Sequence, residues 1–122
     1  MEFDGKVAIV TGGASGIGEA ITAELAENGA TVAIADLLED VGRETARGLE
    51  ARGFKARVFP VDVSDAGQVE LMVKSVVETY GGVDILVNNA GIGQRCAILD
   101  MAAEEWERVL SVNLKGNFLC SQ

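Results

Sequence analysis

The sequence predicts an α/β fold: a doubly wound parallel sheet of about four strands in a single domain, residues 1–122. Two observations predict it. Four apolar runs are spaced along the chain, and three are nearly continuous in Val, Ile, Ala and Leu, the pattern of strands covered on both faces. Between the runs, apolar residues recur every three or four positions, the period of a helix packed along one side. Strand and helix in alternation mean parallel strands joined by right-handed crossovers.

The elements follow in order. KVAIVT (6–11) is the first strand, and the helix after it carries Ile17, Ala20, Ile21 and Leu25 on its apolar face. TVAIAD (31–36) is the second, followed by a helix with Leu38, Val41, Thr45 and Leu49. ARVFPVD (56–62) is the third, followed by a helix with Val69, Met72, Val73, Val76 and Tyr80 that Ser64 or Asp65 can N-cap. Gly29, Gly53 and Gly81-Gly82 stand where these helices should stop, each offering a left-handed C-cap. VDILVNN (83–89) is the fourth strand. A last helix over 103–121 places Trp106, Val109, Leu110, Asn113 and Leu114 on one face, with Asp100 positioned to cap it. No glycine or proline after Phe118 ends it.

Composition narrows the function. A hydrophobic share of 48% excludes a disordered chain. The net charge of −9 and pI near 4.4 disfavour nucleic acid and anionic membranes as partners. A local anion site is still compatible with that charge, because backbone N–H groups hold phosphate without any side-chain cation. The start, MEFDGKVAIV, has no basic leader pattern, and no run approaches the roughly 20 apolar residues of a membrane span, so a cytoplasmic protein is expected. There is no histidine, which excludes a His-based triad and a His-ligated metal. Cys96 and Cys120 fit neither a disulfide framework nor a zinc site and read as reduced packing or surface residues.

The residues at the strand ends carry the chemistry. The first strand runs into TGGASGIG (11–18) and then into a helix. In that context Gly12 turns the chain off the strand, Gly16 leaves room for a pyrophosphate, and Gly18 lets the helix pack close to the sheet. Free N–H groups and the positive end of the helix dipole face the anion. The loop lacks the Gly-Lys-Ser/Thr of a P-loop, which argues against nucleotide hydrolysis. Asp36 ends the second strand eighteen residues past Gly18, where a carboxylate accepts the ribose hydroxyls of NAD and repels the 2′-phosphate of NADP. Ser15 and Leu37 beside it offer no cation. Asp62-Val63 either borders the adenine or serves the turn before a helix. The paired amides of NNAG (88–91) either tie the fourth strand to its neighbour or line the crevice. Asn113 reads equally as a satisfied polar residue of the core and as a functional one.

Together, TGGASGIG, Asp36, Asp62-Val63, NNAG and Ser111-Val112-Asn113 resemble the classical short-chain dehydrogenases/reductases over the whole chain. That resemblance implies a Rossmann-like fold, a nicotinamide dinucleotide, and hydride transfer between it and an alcohol or ketone. It implies that Gly12, Ser15, Gly16, Ile17 and Gly18 form the diphosphate loop, and that Asp36 and Leu37 select the ribose. Asp62 and Val63 would contact the adenine, and Asn89, Ala90 and Gly91 would lie beside the nicotinamide ribose. Asn113 would be the catalytic asparagine that kinks its helix and holds a water of the proton relay. The family's catalytic Ser and Tyr-x-x-x-Lys find no match: the one tyrosine, Tyr80, is followed four residues later by Asp84 and lies on an apolar stripe.

The expectation is therefore the NAD(H)-binding portion of an NAD-dependent alcohol/ketone oxidoreductase, truncated before its catalytic half and inactive by itself. The alternative is a stand-alone dinucleotide-binding or scaffold module without catalysis. Self-association is expected through strand 83–89, helix 103–121 or both. Gly93 to Leu99, with Gln94, Arg95 and Cys96, would line one edge of the substrate pocket.

Overall fold

The computed structural model describes residues 1–93 and 95–122; Gln94, a candidate pocket residue, lies outside the described residues. Strands β1 (Val7–Thr11), β2 (Thr31–Asp36), β3 (Lys55–Pro60) and β4 (Ile85–Val87) form one parallel sheet in the order β3-β2-β1-β4. Helices α1 (Gly16–Glu27), α2 (Glu39–Ala51) and α3 (Ala66–Tyr80) connect them. After β4 come a 3₁₀ turn (Ile98–Asp100) and a continuous helix. That helix comprises α4 (Ala103–Leu110), a π-helical turn (Ser111–Lys115) and α5 (Gly116–Ser121).

The two-residue period of the strands divides their side chains between two cores. Ala8, Val10, Val32, Ile34 and Ala56 face the α1/α2 layer, where they meet Leu25, Ala26, Ala46 and Leu49. Val7, Ile9, Ala33, Ala35 and Phe59 face the other layer, where they meet Val63, Val69, Met72, Val76 and Val112. Ile9, Val10, Val32 and Ile34 are at most 2% exposed, and each such burial stabilises by about 1.5–3 kcal/mol. Double coverage explains why these strands read as continuous apolar runs.

The caps follow the sequence. Gly29, Gly53 and Gly81 have φ of +100°, +88° and +90°, which glycine adopts without steric cost. Asp65, not Ser64, caps α3, its carboxylate accepting the Gln68 N–H at 3.0 Å.

Four expectations need correction. The strand expected over 83–89 pairs only over Ile85–Val87; the Asp84 N–H still donates to the Val7 carbonyl (2.8 Å), but side chains accept the return bonds at both ends. Asp84 Oδ2 accepts the Val7 N–H (2.8 Å), and the Asn89 N–H donates to the Thr11 hydroxyl (3.0 Å). Asp100 does not cap the last helix; it lies in the 3₁₀ turn, and Ala102 occupies the cap without a side-chain bond. Glu104 and Glu105 in the first turn face the helix dipole instead.

The third correction concerns the first two helices. Of the predicted faces, Leu25 and Leu49 are buried and Ile21 and Thr45 half-buried, but Ile17 (76%), Ala20, Leu38 and Val41 are exposed; Gly18, Thr22 and Ala26 on α1 and Gly42 and Ala46 on α2 complete the buried faces. Small residues pack both helices tightly: a Cβ at Gly42 would press on the Val58 side chain. The fourth concerns the last helix, whose buried residues are Val112 and Gly116, with Leu119 and Cys120 half-buried. Of the predicted face, Val109 is half-buried while Trp106, Leu110, Asn113 and Leu114 point outward, as does Phe118. On α3 the predicted stripe is the packed one.

Candidate cofactor-binding site

The carboxyl ends of the strands converge on a cleft of about 380 Å³. Ten predicted site residues are found there or at its loop: Gly12, Ser15, Asp36, Leu37, Asp62, Val63, Asn89, Ala90 and Gly91 line the cleft, and Gly16 adjoins Ser15 in the loop.

The glycine loop is shaped by close approach. Gly12, at φ +64°, continues the β1–β2 ladder by donating to the Ala35 carbonyl (2.8 Å) and then turns away. Gly16, at φ +57°, has open space where a Cβ would sit. A Cβ at Gly18 would overlap the Gly12 carbonyl oxygen. The closeness expected between helix and sheet at Gly18 is thus met at the strand-end loop itself.

The first hydrogen bond of α1 is Glu19 N–H to the Ser15 carbonyl (3.2 Å). The N–H groups of Ser15, Gly16, Ile17 and Gly18 have no acceptor among the described residues, and the Ser15 side chain makes no cap bond. Unpaired donors at the positive end of a helix form an anion site, so the loop fits a diphosphate.

Asp36 fastens this loop to β2. Its two oxygens accept the N–H groups of Ala14 (3.1 Å) and Leu38 (2.9 Å). Each carboxylate oxygen can accept again, so room remains for two ribose hydroxyls. Leu37 and Leu38, over half exposed, supply apolar wall.

Asp62 serves the turn as well as the cleft. Its Oδ1 accepts the Ser64 hydroxyl (2.6 Å) and N–H (3.0 Å). The Ser64 hydroxyl, then its N–H, hold the carboxyl below its ordinary pKa, with a smaller contribution from the positive charge of Arg108. The carboxylate therefore stabilises the fold above its unfolded-state pKa, and that stability is lost as pH falls through the depressed value.

The amides of NNAG are all engaged. Asn88 Nδ2 donates to Ser121 Oγ (3.0 Å), and Asn89 Nδ2 donates to the Gly12 carbonyl (3.2 Å). Thr11 Oγ1 accepts the N–H groups of Asn89 and Ala90 (3.0 Å each) and donates to the Val87 carbonyl (3.4 Å). Of the two roles open for the amides, Asn89 fills both, and Asn88 only ties the strand end to the last helix.

Asn113 sits in the π-helical turn, where the helix takes in an extra residue. It is exposed, so it is not a core residue. Both ends of its amide are engaged, Oδ1 accepting the Ile92 N–H and Nδ2 donating to the Ile92 carbonyl, both at 2.8 Å, which leaves one N–H and one lone pair. This pair clasps the segment after β4 to the helix. Asn113 itself does not line the cleft, nor do Ile17 and Gly18.

None of the described residues from Gly93 to Leu99 lines this cleft. Arg95, Cys96, Ile98 and Leu99 are exposed. Tyr80 packs its ring edge-on against Phe59 at 6.2 Å, and burial raises its phenol pKa, the opposite of what proton transfer near neutral pH needs.

Two contributors escaped the sequence reading. Thr11 bonds between β1 and β4, and its signal was a hydroxyl ending an otherwise apolar strand. Arg108 lines the cleft, and its signal was its position four residues before Val112, on one helix face. Among the described residues, no cluster of His, Cys, Asp or Glu suits a metal, and no helix is long and apolar enough to cross a membrane.

The comparisons with known proteins agree with this architecture. The family model for the short chain dehydrogenase matches residues 6–122. An uncharacterized oxidoreductase of Thermotoga maritima is 48% identical over 98% of this chain and 47% of its own. A 3-oxoacyl-[acyl-carrier-protein] reductase of the same organism is 42% identical over all of this chain and 50% of its own. D-threitol dehydrogenase of Mycolicibacterium smegmatis is 40% identical over all of this chain and 47% of its own. A mutant Serratia marcescens short-chain dehydrogenase/reductase superposes with a TM-score of 0.94 at 36% identity, over all of this chain and 50% of that one. The chain spans about half the length of the curated relatives it matches. With a Rossmann-like sheet, a glycine loop with unpaired N–H groups and these relatives, the chain belongs to the short-chain dehydrogenase family.

Proposed function

We propose that this chain is the NAD(H)-binding portion of a cytoplasmic NAD-dependent oxidoreductase acting on an alcohol or ketone. One observation carries the reading. The unpaired N–H groups of the glycine loop and the carboxylate of Asp36 are joined through the Ala14–Asp36 hydrogen bond, which ties the anion site to the ribose site. The relatives include a polyol dehydrogenase and an oxoacyl reductase, which supports alcohol and ketone as the reacting groups.

The bound dinucleotide would supply the hydride acceptor or donor. The chain's own residues do the rest. Ser15 to Gly18 hold the diphosphate through backbone N–H groups, with Gly12 and Ile17 shaping the loop. Asp36 accepts the ribose hydroxyls, and its charge excludes a 2′-phosphate. Leu37, Asp62 and Val63 enclose the adenine. Asn89, Ala90 and Gly91 form the floor on the nicotinamide side. Asn113 holds the Ile92 segment in place and is the catalytic residue of the proton relay once Ser and Tyr-x-x-x-Lys partners are supplied. These partners are not among the 122 residues, so the chain alone turns over no substrate.

Asp36 gives the test. NADH should bind the chain at least tenfold more tightly than NADPH by calorimetry, and Asp36→Ala should narrow that ratio. Equal affinity for both before substitution would remove Asp36 as selector.

A second reading, a binding or assembly module without catalysis, is favoured by the exposed stripe Trp106, Leu110, Leu114 and Phe118. In that reading strand 83–89 and helix 103–121 pair with a second copy.

A further inference from the structure

Arg108 is the only lysine or arginine lining the cleft among the described residues. It forms no ion pair there, although Glu104, Glu105 and Glu107 share its helix. The guanidinium is thus uncommitted, in a chain with nine more acids than bases. Arg108 also stands one helical turn before Val112, whose side chain is buried in the cleft wall beside Val63. Residues four apart on a helix share a face, which places Arg108 over the end of the cleft bounded by Asp62, Val63 and Val112. Gly12 and Ser15 of the glycine loop line the same cleft.

Those observations fix what Arg108 can meet. The diphosphate already has its donors in the loop. Val63 and Val112 beside Arg108, with Leu37 and Leu38 in the same lining, give the cleft apolar wall, the surface that suits a flat aromatic ring. A planar guanidinium stacks on such a ring, and an ammonium does so less well. We propose that Arg108 is a specificity-determining residue of the cleft, stacking its guanidinium on the purine base of the dinucleotide and closing the base against Val63 and Val112. The inference rests on the dinucleotide-binding reading above. The positive charge reaching Asp62 from Arg108 is consistent with a guanidinium held over this end.

The test uses the 122-residue chain, with Arg108→Ala and Arg108→Lys, titrated with NADH and with ADP-ribose, which carries the base but no nicotinamide. Because Arg108 is exposed, circular dichroism should match across the three proteins. Arg108→Ala should weaken both ligands about five- to tenfold. Arg108→Lys should recover less than half of that loss, because the charge returns without the plane. Unchanged binding by Arg108→Ala would overturn the inference and leave the functional reading intact. Full recovery by Arg108→Lys would also overturn it, reducing Arg108 to a counter-charge. Failure of the unsubstituted chain to bind either ligand would overturn the functional reading and this inference with it.

Discussion

Gly16 shows how a single residue carries the site. Its φ of +57° lies in the left-handed region at the head of α1, and apart from its neighbours along the chain no atom lies within 4 Å of where its Cβ would be. A methyl group there meets no neighbour, so the penalty is backbone strain, about 1–2 kcal/mol for a non-glycine residue in the left-handed region. Gly16→Ala should therefore leave the sheet folded while weakening NADH binding, since the loop relaxes away from the anion-binding conformation. A thermal melt beside a titration separates the two effects. Undiminished NADH affinity would mean that the anion does not sit at Gly16. Asp36 is a second case. Its carboxylate accepts the Ala14 N–H and, in the proposed function, the ribose hydroxyls, so its replacement should affect the diphosphate as well as the ribose.

At the scale of elements, what the sequence made legible was what chain-local physics decides. The Val, Ile and Ala runs announced the strands, and Gly29, Gly53 and Gly81 announced the helix stops, because each follows from backbone geometry at one position. Alternation announced parallel strands, and the order β3-β2-β1-β4 is that of the doubly wound fold that the family resemblance implied. The glycine loop, Asp36 and NNAG were legible because each sits at a strand end. Helix faces were harder. On α1 and α2 only Leu25 and Leu49 of the buried positions are large apolar residues; Gly18, Ala26, Gly42 and Ala46 are small and give hydrophobic periodicity little to read. The last helix is apolar on two sides, and the bulkier side misled. Val112 and Gly116 face the protein, with Gly116 so close to Val63 that a Cβ would sit 2.8 Å from its methyl carbon. Trp106, Leu110, Leu114 and Phe118 recur every four residues on the open side. The β4 edge is likewise unguarded, whereas β3 at the opposite edge carries Lys55 and Pro60. Self-association should follow. The chain should sediment as a dimer or larger at micromolar concentration, and Leu114→Glu with Phe118→Glu should shift it toward monomer. A monomer before substitution would remove both surfaces as interfaces.

For the molecule as a whole, net charge and site chemistry point in different directions. A chain of charge −9 repels anions at long range, yet its cleft is fitted to one. The conflict resolves because the attraction is local: backbone dipoles at the head of α1 act within a turn of the helix. The two cores fix the strand ends, Thr11 and Asn89 lock β1 to β4, and Asp36 locks the loop to β2. The central claim is that these locks assemble a dinucleotide site within this chain. The most direct test is to follow its backbone amide resonances during titration with NADH. The account predicts saturable shifts at Ser15, Gly16, Ile17 and Gly18, with Asp36 and Val63 moving at the same ligand concentrations. A folded chain whose loop amides stay still at millimolar NADH, or shift without saturating, would contradict it.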